Sequence, residues 1–583
     1  MIPDTSLTPQ HVIFRRNLRT LSPSRLSAMV SSSLPSPTLF ASLDANSATD
    51  TFCSTLTSCL DTVCPLSSRP ARNTPSAPWL SDVLREHCSK LRAAERVWRK
   101  SKNTTDQSLL SSFSANVSSA KRTYYHNKIN NSSNSRMLLK KNSSLLCPPP
   151  PASSLIADDF ATFFINKIKH VSAQFSTPQS VRLISPANLH SFTSFSSLSE
   201  AEVSKLILSN HPTTCPLDPI PSDLLQAISP EVVPALTHII NTSLHTGVFP
   251  SSFRQARITP LLKKPNLNPS LLENYRPVSL LPFIAKTLKR AVFKQVSTFL
   301  THNNLLDSNQ SDFRSGHSTE TALLSVVEAL RLARAESKSS VLILLDLPAA
   351  FDTVNHQILL STLLAKGISG TTLHWFETYL SDWSFKVSWR GEVSKSQHLT
   401  TGGPRGSVLG PLLFSVYMAS LGSVIQKHGF SYHCYADDTQ LYLSFHPDDP
   451  TVAIRISDCL TDISSWMMDH HLQLNLAETE LLVIPANPSF HHNFTIKLGT
   501  STITPSKTAR SLGVMIDDQL TFSDHIAKTV RSCRFAYSTS RRSSPFFQNM
   551  LHNSLFKLLF CPGWTIAMPS WQVFQPILSN LSN

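Results

Sequence analysis

Three aspartates stand where a carboxylate is costly to place. Asp346 closes the apolar run "VLILLDL", which reads as a buried β-strand. A carboxylate at the end of such a strand has to be paired or has to bind a cation. Asp437 and Asp438 are neighbours within "YHCYADDTQLYL", where two β-prone runs flank a short turn. That pattern predicts a hairpin with both carboxylates at its tip. Adjacent like charges repel, and a divalent cation removes the repulsion. One aspartate from a strand end and two from a nearby hairpin suit a pair of Mg²⁺ ions. Such a pair activates a hydroxyl nucleophile and stabilises a leaving pyrophosphate in in-line phosphoryl transfer. Taken alone, the tip also fits an ordinary acidic surface turn.

The glycines of "GGPRGS", Gly402, Gly403 and Gly406, suggest a phosphate-cradling loop. No Lys-Ser/Thr follows them, so a Walker-type reading fails. From Glu200 onward, apolar helical patterns alternate with short β-rich runs, a mixed α/β region. Before it the chain is different in kind. Residues 1–77 are rich in Ser, Thr and Pro with weak periodicity and read as linker. Over 78–198 the chain reads as basic helical linker, with helices near 78–100, 106–140 and 158–170 and a break at Pro148–Pro151. The last helix is expected to be capped by Asp158 or Asp159. In "AKRTYYHNK", Tyr124 and Tyr125 stand among cations, which suits base stacking with phosphate neutralisation. The same pattern also describes an amphipathic helix with a solvated face.

Composition narrows the classes. The 583 residues are 41% hydrophobic, enough for a core and against wholesale disorder. The 52 Lys and Arg exceed the 38 Asp and Glu by 14, favouring a polyanionic partner, nucleic acid before membrane. No apolar run reaches the 18 or so residues needed to span a bilayer, and no secretory leader is visible. The 10 cysteines include no C-x-x-C pair, so we expect reduced thiols in an intracellular protein.

Eight segments, in order between about Glu200 and Ile526, resemble one family: the reverse transcriptases of non-LTR (LINE-type, jockey-like) retrotransposons. "CPLDPIPSDLL" and "ITPLLKKPNLNPSLLENYRPVSLLPFIAKTL" are similar to its lead-in and first finger motifs, and "DSNQSDFRSGHSTETALL" to the second. "LLDLPAAFDTVNH", "GGPRGSVLGPLLFSVYM" and "YADD" resemble its palm motifs, the last being the catalytic hairpin. "WMMDHHLQLNLAETELLVI" and "SLGVMIDDQLTFSDHI" resemble the later palm and primer-grip motifs. The resemblance implies an RNA-directed DNA polymerase using two Mg²⁺ (or Mn²⁺), with an RNA template, a DNA primer and deoxynucleoside triphosphates as partners. It makes Asp346, Asp437 and Asp438 the catalytic, metal-holding residues, with the Leu347 carbonyl as a further ligand. The N–H groups of Ala349 and Ala350 would face the triphosphate. Phe351 would stand against the sugar and reject a ribose 2′-hydroxyl, although an aromatic after two alanines also fits plain core packing. Arg276 and Arg314 would contact template or triphosphate oxygens, and Arg405 would help position the nucleotide.

The implied fold is α+β: a right-hand polymerase whose antiparallel palm sheet packs helices on one face. Its lead-in would span 199–243, fingers and palm 244–516, and the primer-grip end with a truncated thumb 517–583. The family's endonuclease domain is not seen, so the chain reads as a fragment. Several residues depart from the family pattern. Arg405 stands for the usual Gln, Gly403 for Val, and Pro348 for a small polar residue. Asp312 stands where a Gly is usual, a strained exchange if that position has positive φ. Glu478 replaces the Lys thought to protonate the pyrophosphate. A decayed remnant that only binds RNA is therefore the alternative reading. A template-directed RNA polymerase is a third, opposed by Phe351 and "YADD". The family assembles with RNA in the cytoplasm and primes at nuclear DNA, which sets the expected location.

Overall fold

A computed structural model describes residues 12–18, 21–70, 154–175, 190–264, 267–347, 350–403, 406–475, 478–487, 495–498 and 501–543, with isolated helical positions between 86 and 123. The chain divides into two units. One comprises residues 1–15, 67–151 and 528–564; the other comprises 16–66, 152–527 and 565–583. In the first, Val12–Arg15 pairs antiparallel with Ser67–Pro70. The helices expected near 78–100 and 106–140 fall mostly outside the described residues, as does everything after Ser543, where a truncated thumb is expected.

The second unit holds the aspartates. Its centre is a four-stranded sheet in the spatial order Glu480–Ile484, Ser339–Leu345, Asp438–Phe445, Ser431–Tyr435. Every pairing in it is antiparallel. Alternation along the strands gives the sheet two different faces. Val341, Ile343 and Leu345 enter the main core with Leu441 and Leu443, beside the helices that carry Phe414, Tyr417 and Ile463. Leu342 and Leu344 face the other way, onto Leu323, Val326 and Leu330 of helix Thr319–Ala335 and onto the hairpin of Ala509 and Ile516. This departs from the expectation of helices on one face only. The fully apolar run 341–345 leaves no side of the strand fit for water, so both faces have to be covered.

A second sheet holds Gln255–Leu262, antiparallel to Tyr275–Leu280 and parallel to Trp383–Trp389. Helix Ala157–Ser172 packs beside it through Phe160, whose ring lies 4.9 Å from Tyr275 and 4.8 Å from Trp389. Neither Asp158 nor Asp159 occupies the cap position, which Ile156 holds. Asp159 caps from the first turn instead, accepting the Ile156 N–H at 2.9 Å.

The linker expected over 1–77 is corrected across Pro23–Val63, which folds as helices Pro23–Ser33, Pro37–Ala41 and Ala45–Val63. Leu26, Val30, Phe52, Leu56 and Leu60 are buried in the main core. The apolar spacing was present but sparse. Thr55, Thr57 and Thr62 return their hydroxyls to carbonyls four residues back, so these hydroxyls are satisfied within the helix itself. Asp44 starts the longest of the three helices by accepting the N–H groups of Asn46 and Ser47.

Candidate active site

Strand register brings the three aspartates to one edge of the central sheet. Leu345 pairs with Thr439, so one step outward Asp346 stands opposite Asp438. Opposed positions in an antiparallel ladder share a face and lie about 5 Å apart at their Cα atoms. Tyr435 and Asp438 close the hairpin as a pair, leaving Ala436 and Asp437 as its two-residue tip. Ala436 has φ 55°, the left-handed geometry that a two-residue hairpin demands and that usually selects glycine.

Two amide side chains from outside the sheet hold this edge. Asn475 donates from Nδ2 to the Asp346 carboxylate at 3.1 Å and from its backbone N–H to the Asp346 carbonyl at 3.0 Å. Gln310 binds both polar backbone groups of Ala436. Both residues lie inside the motif segments, but an amide with no charge carries no signal that distinguishes it from a surface residue.

The electrostatics follow from the crowding. Burial and then the charges of Asp437, Asp346 and Asp312 push the Asp438 carboxyl up to about 6. Burial is the largest cause of that rise, and the three neighbouring carboxylates add to it. Asp312 is an addition that the motif reading did not place at the site. Burial raises it too, with Asp437 adding to the rise and bonds from the Phe313 N–H and the Tyr435 hydroxyl opposing it. The strain anticipated at Asp312 is displaced by one residue, since it is Phe313 that has positive φ, at 55°. A cluster of carboxylates that repel one another is the donor set a hard divalent cation prefers. Among the described residues no group of three or more His, Cys, Asp or Glu side chains is arranged so that it could hold a metal ion.

Beside the aspartates is a cavity of about 500 Å³, lined by Asp437, Ala350, Phe351, Gly402, Gly403 and Phe414 among others. Phe351 is half-buried. Its ring stacks on Phe414 at 4.4 Å while it also lines this cavity, so packing and site-facing roles coexist. Leu347 is 3% exposed and belongs to the core. Ala350 is buried and opens the short helix Ala350–Thr353. Pro348, Ala349 and Arg405 lie outside the described residues.

The loop after Thr400 is tied to the Phe351 segment. Gly402 has φ 64°, and a Cβ there would meet the Asp352 carbonyl oxygen at 2.5 Å. Its N–H donates to the Val354 carbonyl at 2.8 Å, and the His356 Nε2 donates to its carbonyl at 2.6 Å. Only glycine allows two backbones to approach this closely at positive φ.

Neither Arg276 nor Arg314 lines the cavity that Asp437 borders. Arg276, exposed on its strand, lines a neighbouring cavity with Lys167 and Lys263, and Gly403 borders both cavities. Arg314 donates from one guanidinium nitrogen to the carbonyls of Asp307 and Ser308, bracing its own loop. Glu478 is exposed and follows Asn475 by one turn, its N–H donating to the Asn475 carbonyl at 3.2 Å. Of the ten cysteines, the six described are free thiols. Among the described residues no helix is long and apolar enough to cross a membrane.

Comparison with known proteins gives one family. The family model described as reverse transcriptase (RNA-dependent DNA polymerase) matches residues 262–516. A protein named "Probable RNA-directed DNA polymerase from transposon BS", from Drosophila melanogaster, is 28% identical over 329 residues, 54% of this chain and 35% of its own length. A second from the same fly, "Probable RNA-directed DNA polymerase from transposon X-element", is 26% identical over 374 residues, 61% of this chain and 39% of its own. The chain thus spans little more than a third of either relative. A solved apo telomerase from Candida tropicalis superposes with TM-score 0.32 at 12% identity, covering 52% of this chain and 68% of its own, a score that carries no argument.

Proposed function

We propose that this chain, whose residues 262–516 match the reverse transcriptase family and which is similar to RNA-directed DNA polymerases of fly transposons, is the RNA-directed DNA polymerase of a non-LTR retrotransposon, working by two-metal nucleotidyl transfer. The observation that carries the reading is the register that sets Asp346 opposite Asp438, with Asp437 on the cavity that Phe351 lines. Asp346 and Asp437 would hold both Mg²⁺ ions, with Asp438 in support. When bound, the ions supply an activated primer 3′-hydroxyl and a stabilised pyrophosphate.

The chain's own groups do the positioning. Asn475 fixes the Asp346 carboxylate, so the ligand is oriented before any ion arrives. The turn at Gly402 holds the Phe351 segment at a set separation from the cavity's opposite wall. Phe351 then excludes a ribose 2′-hydroxyl, and Arg276 with Lys263 meets phosphate oxygens from the adjoining cavity. Template RNA, primer DNA and deoxynucleotides are the partners, and a cytoplasmic ribonucleoprotein that also reaches nuclear DNA is the location.

The direct test is primer extension on poly(A)/oligo(dT) by the full chain, with Asp437→Asn as the inactive control. Extension by both proteins, or by neither, sinks the polymerase reading. The decayed-remnant reading has its own support in Glu478, an exposed carboxylate one turn from the residue that grips Asp346. It repels a triphosphate and offers no cation to the leaving group. Glu478→Lys is expected to raise the single-turnover rate at saturating template–primer by about 10²-fold, the scale of general-acid assistance. An unchanged rate discards the proton-donor argument.

A further inference from the structure

The hairpin tip that presents Asp437 and Asp438 does not hold its conformation by itself. Its first residue, Ala436, sits at φ 55° without being glycine. An L-residue there is strained, and such geometry persists where surrounding structure enforces it. The enforcing contacts come from one side chain. Gln310 donates from Nε2 to the Ala436 carbonyl at 3.3 Å, and the Ala436 N–H donates back to Gln310 Oε1 at 3.1 Å. The Asp312 N–H donates to the same oxygen at 3.2 Å. Two N–H donors at the oxygen and a carbonyl at the nitrogen fix which way the amide points.

The segment bearing Gln310 is itself fastened to the hairpin. Gln310 bridges Cys434 in parallel, with Ser311 N–H donating to the Cys434 carbonyl at 2.9 Å and Cys434 N–H to the Asn309 carbonyl at 2.8 Å. Ser311 Oγ and His433 Nε2 lie 2.7 Å apart, and the Tyr432 hydroxyl donates to Asp307 at 2.8 Å. Gln310 is 6% exposed, so water does not compete for these bonds.

We propose that Gln310 is a positioning residue for the proposed polymerase reaction: by gripping both peptide groups of Ala436 it sets the backbone rotation that aims Asp437 relative to Asp438. The N–H and C=O of one residue belong to its two flanking peptides, so holding both fixes φ and ψ together. The next Cα is that of Asp437. The inference rests on the polymerase reading for its consequence, but the clamp itself is a property of the fold.

The test uses the full chain with Gln310→Met, which keeps length and loses both bonds to Ala436 along with the one from the Asp312 N–H. Hydrogen exchange followed by mass spectrometry on peptides spanning 431–441 should quicken by about tenfold or more, the loss expected for two local hydrogen bonds. The single-turnover extension rate should fall about 10²-fold, the cost of misplacing reacting groups by about 1 Å. Template–primer affinity should change less than twofold. Unchanged exchange in the hairpin overturns the clamp. An equal fall in affinity and rate overturns the positioning role and leaves only a structural one. Should Gln310→Met fail to fold, Gln310→Glu keeps an oxygen that accepts from Ala436 but turns a carboxylate oxygen toward the Ala436 carbonyl and adds charge beside Asp312, Asp437 and Asp438, and the same changes should follow at equal or larger size. If the unsubstituted chain extends no primer, the polymerase reading fails, and hairpin exchange alone still decides the clamp.

Discussion

Phe351 shows how a single ring can serve two environments. One face stacks on Phe414 at 4.4 Å, and the ring also borders the cavity shared with Asp437. Phe351→Ala is therefore expected to act twice. Loss of the stack should lower stability by about 2 kcal/mol, less than for a fully buried ring. Loss of the wall should raise ribonucleotide incorporation relative to deoxynucleotide by tenfold or more. Competition between the two nucleotides in single-nucleotide extension measures the second effect. An unaltered ratio with lowered stability would leave Phe351 a packing residue alone. Residue type and register made Phe351 readable as a candidate, whereas Gln310 and Asn475 were not, because their roles arise from partners 126 and 129 residues away in sequence, the Ala436 carbonyl and the Asp346 carboxylate.

At the scale of elements, the hydroxyl-rich helix Ala45–Val63 is part of the same core as the central sheet's apolar strand. Phe52 has no exposed surface, and Ser251 N–H donates to Asn46 at 2.8 Å, tying the helix to the segment that leads into the second sheet. Phe52→Ala should cost about 3–5 kcal/mol, the usual loss for a buried aromatic. Denaturant unfolding followed by tryptophan fluorescence checks it. A cost below about 1 kcal/mol would restore the linker reading of this stretch. The strand "VLILLDL" and the acidic hairpin were legible because their periods are local. This helix was not, since Phe52, Leu56 and Leu60 among many hydroxyls do not reveal what they pack against.

For the whole molecule, the feature with the largest reach is Lys289. It is wholly buried, its Nζ has no hydrogen-bond partner among the described residues, and it points among the rings of Phe249, Tyr379 and Trp383 at 5.5, 5.7 and 5.0 Å. Ring faces attract a cation but do not replace its hydration. Burial, with a small addition from Lys286, brings the Lys289 ammonium down to about 7. The unfolded chain then binds the proton more tightly between about pH 7 and the ordinary lysine value near 10.4. Stability should rise with pH across that window and lose the dependence below it, where both states are protonated. Lys289→Met should raise stability at pH 7 by about 1–4 kcal/mol and flatten the slope. Melting temperatures from pH 6.5 to 10 decide this, and a parallel slope in the variant would assign the dependence to other groups.

The sequence by itself determined the family, the three aspartates and the two local elements that present them, because strand alternation and turn chemistry depend only on neighbouring residues. Order along the chain carried the resemblance from which one shared site was expected. What it left open was decided by contacts between distant segments. Register set Asp346 opposite Asp438. Packing on both sheet faces drew in helix Thr319–Ala335, and the N-terminal helices joined the core. Arg314 turned to its own loop carbonyls, and Asp312 joined the acidic cluster. Those outcomes depend on which backbone donors and apolar faces remain unsatisfied once the chain is compact, a quantity with no local signature in the residues themselves.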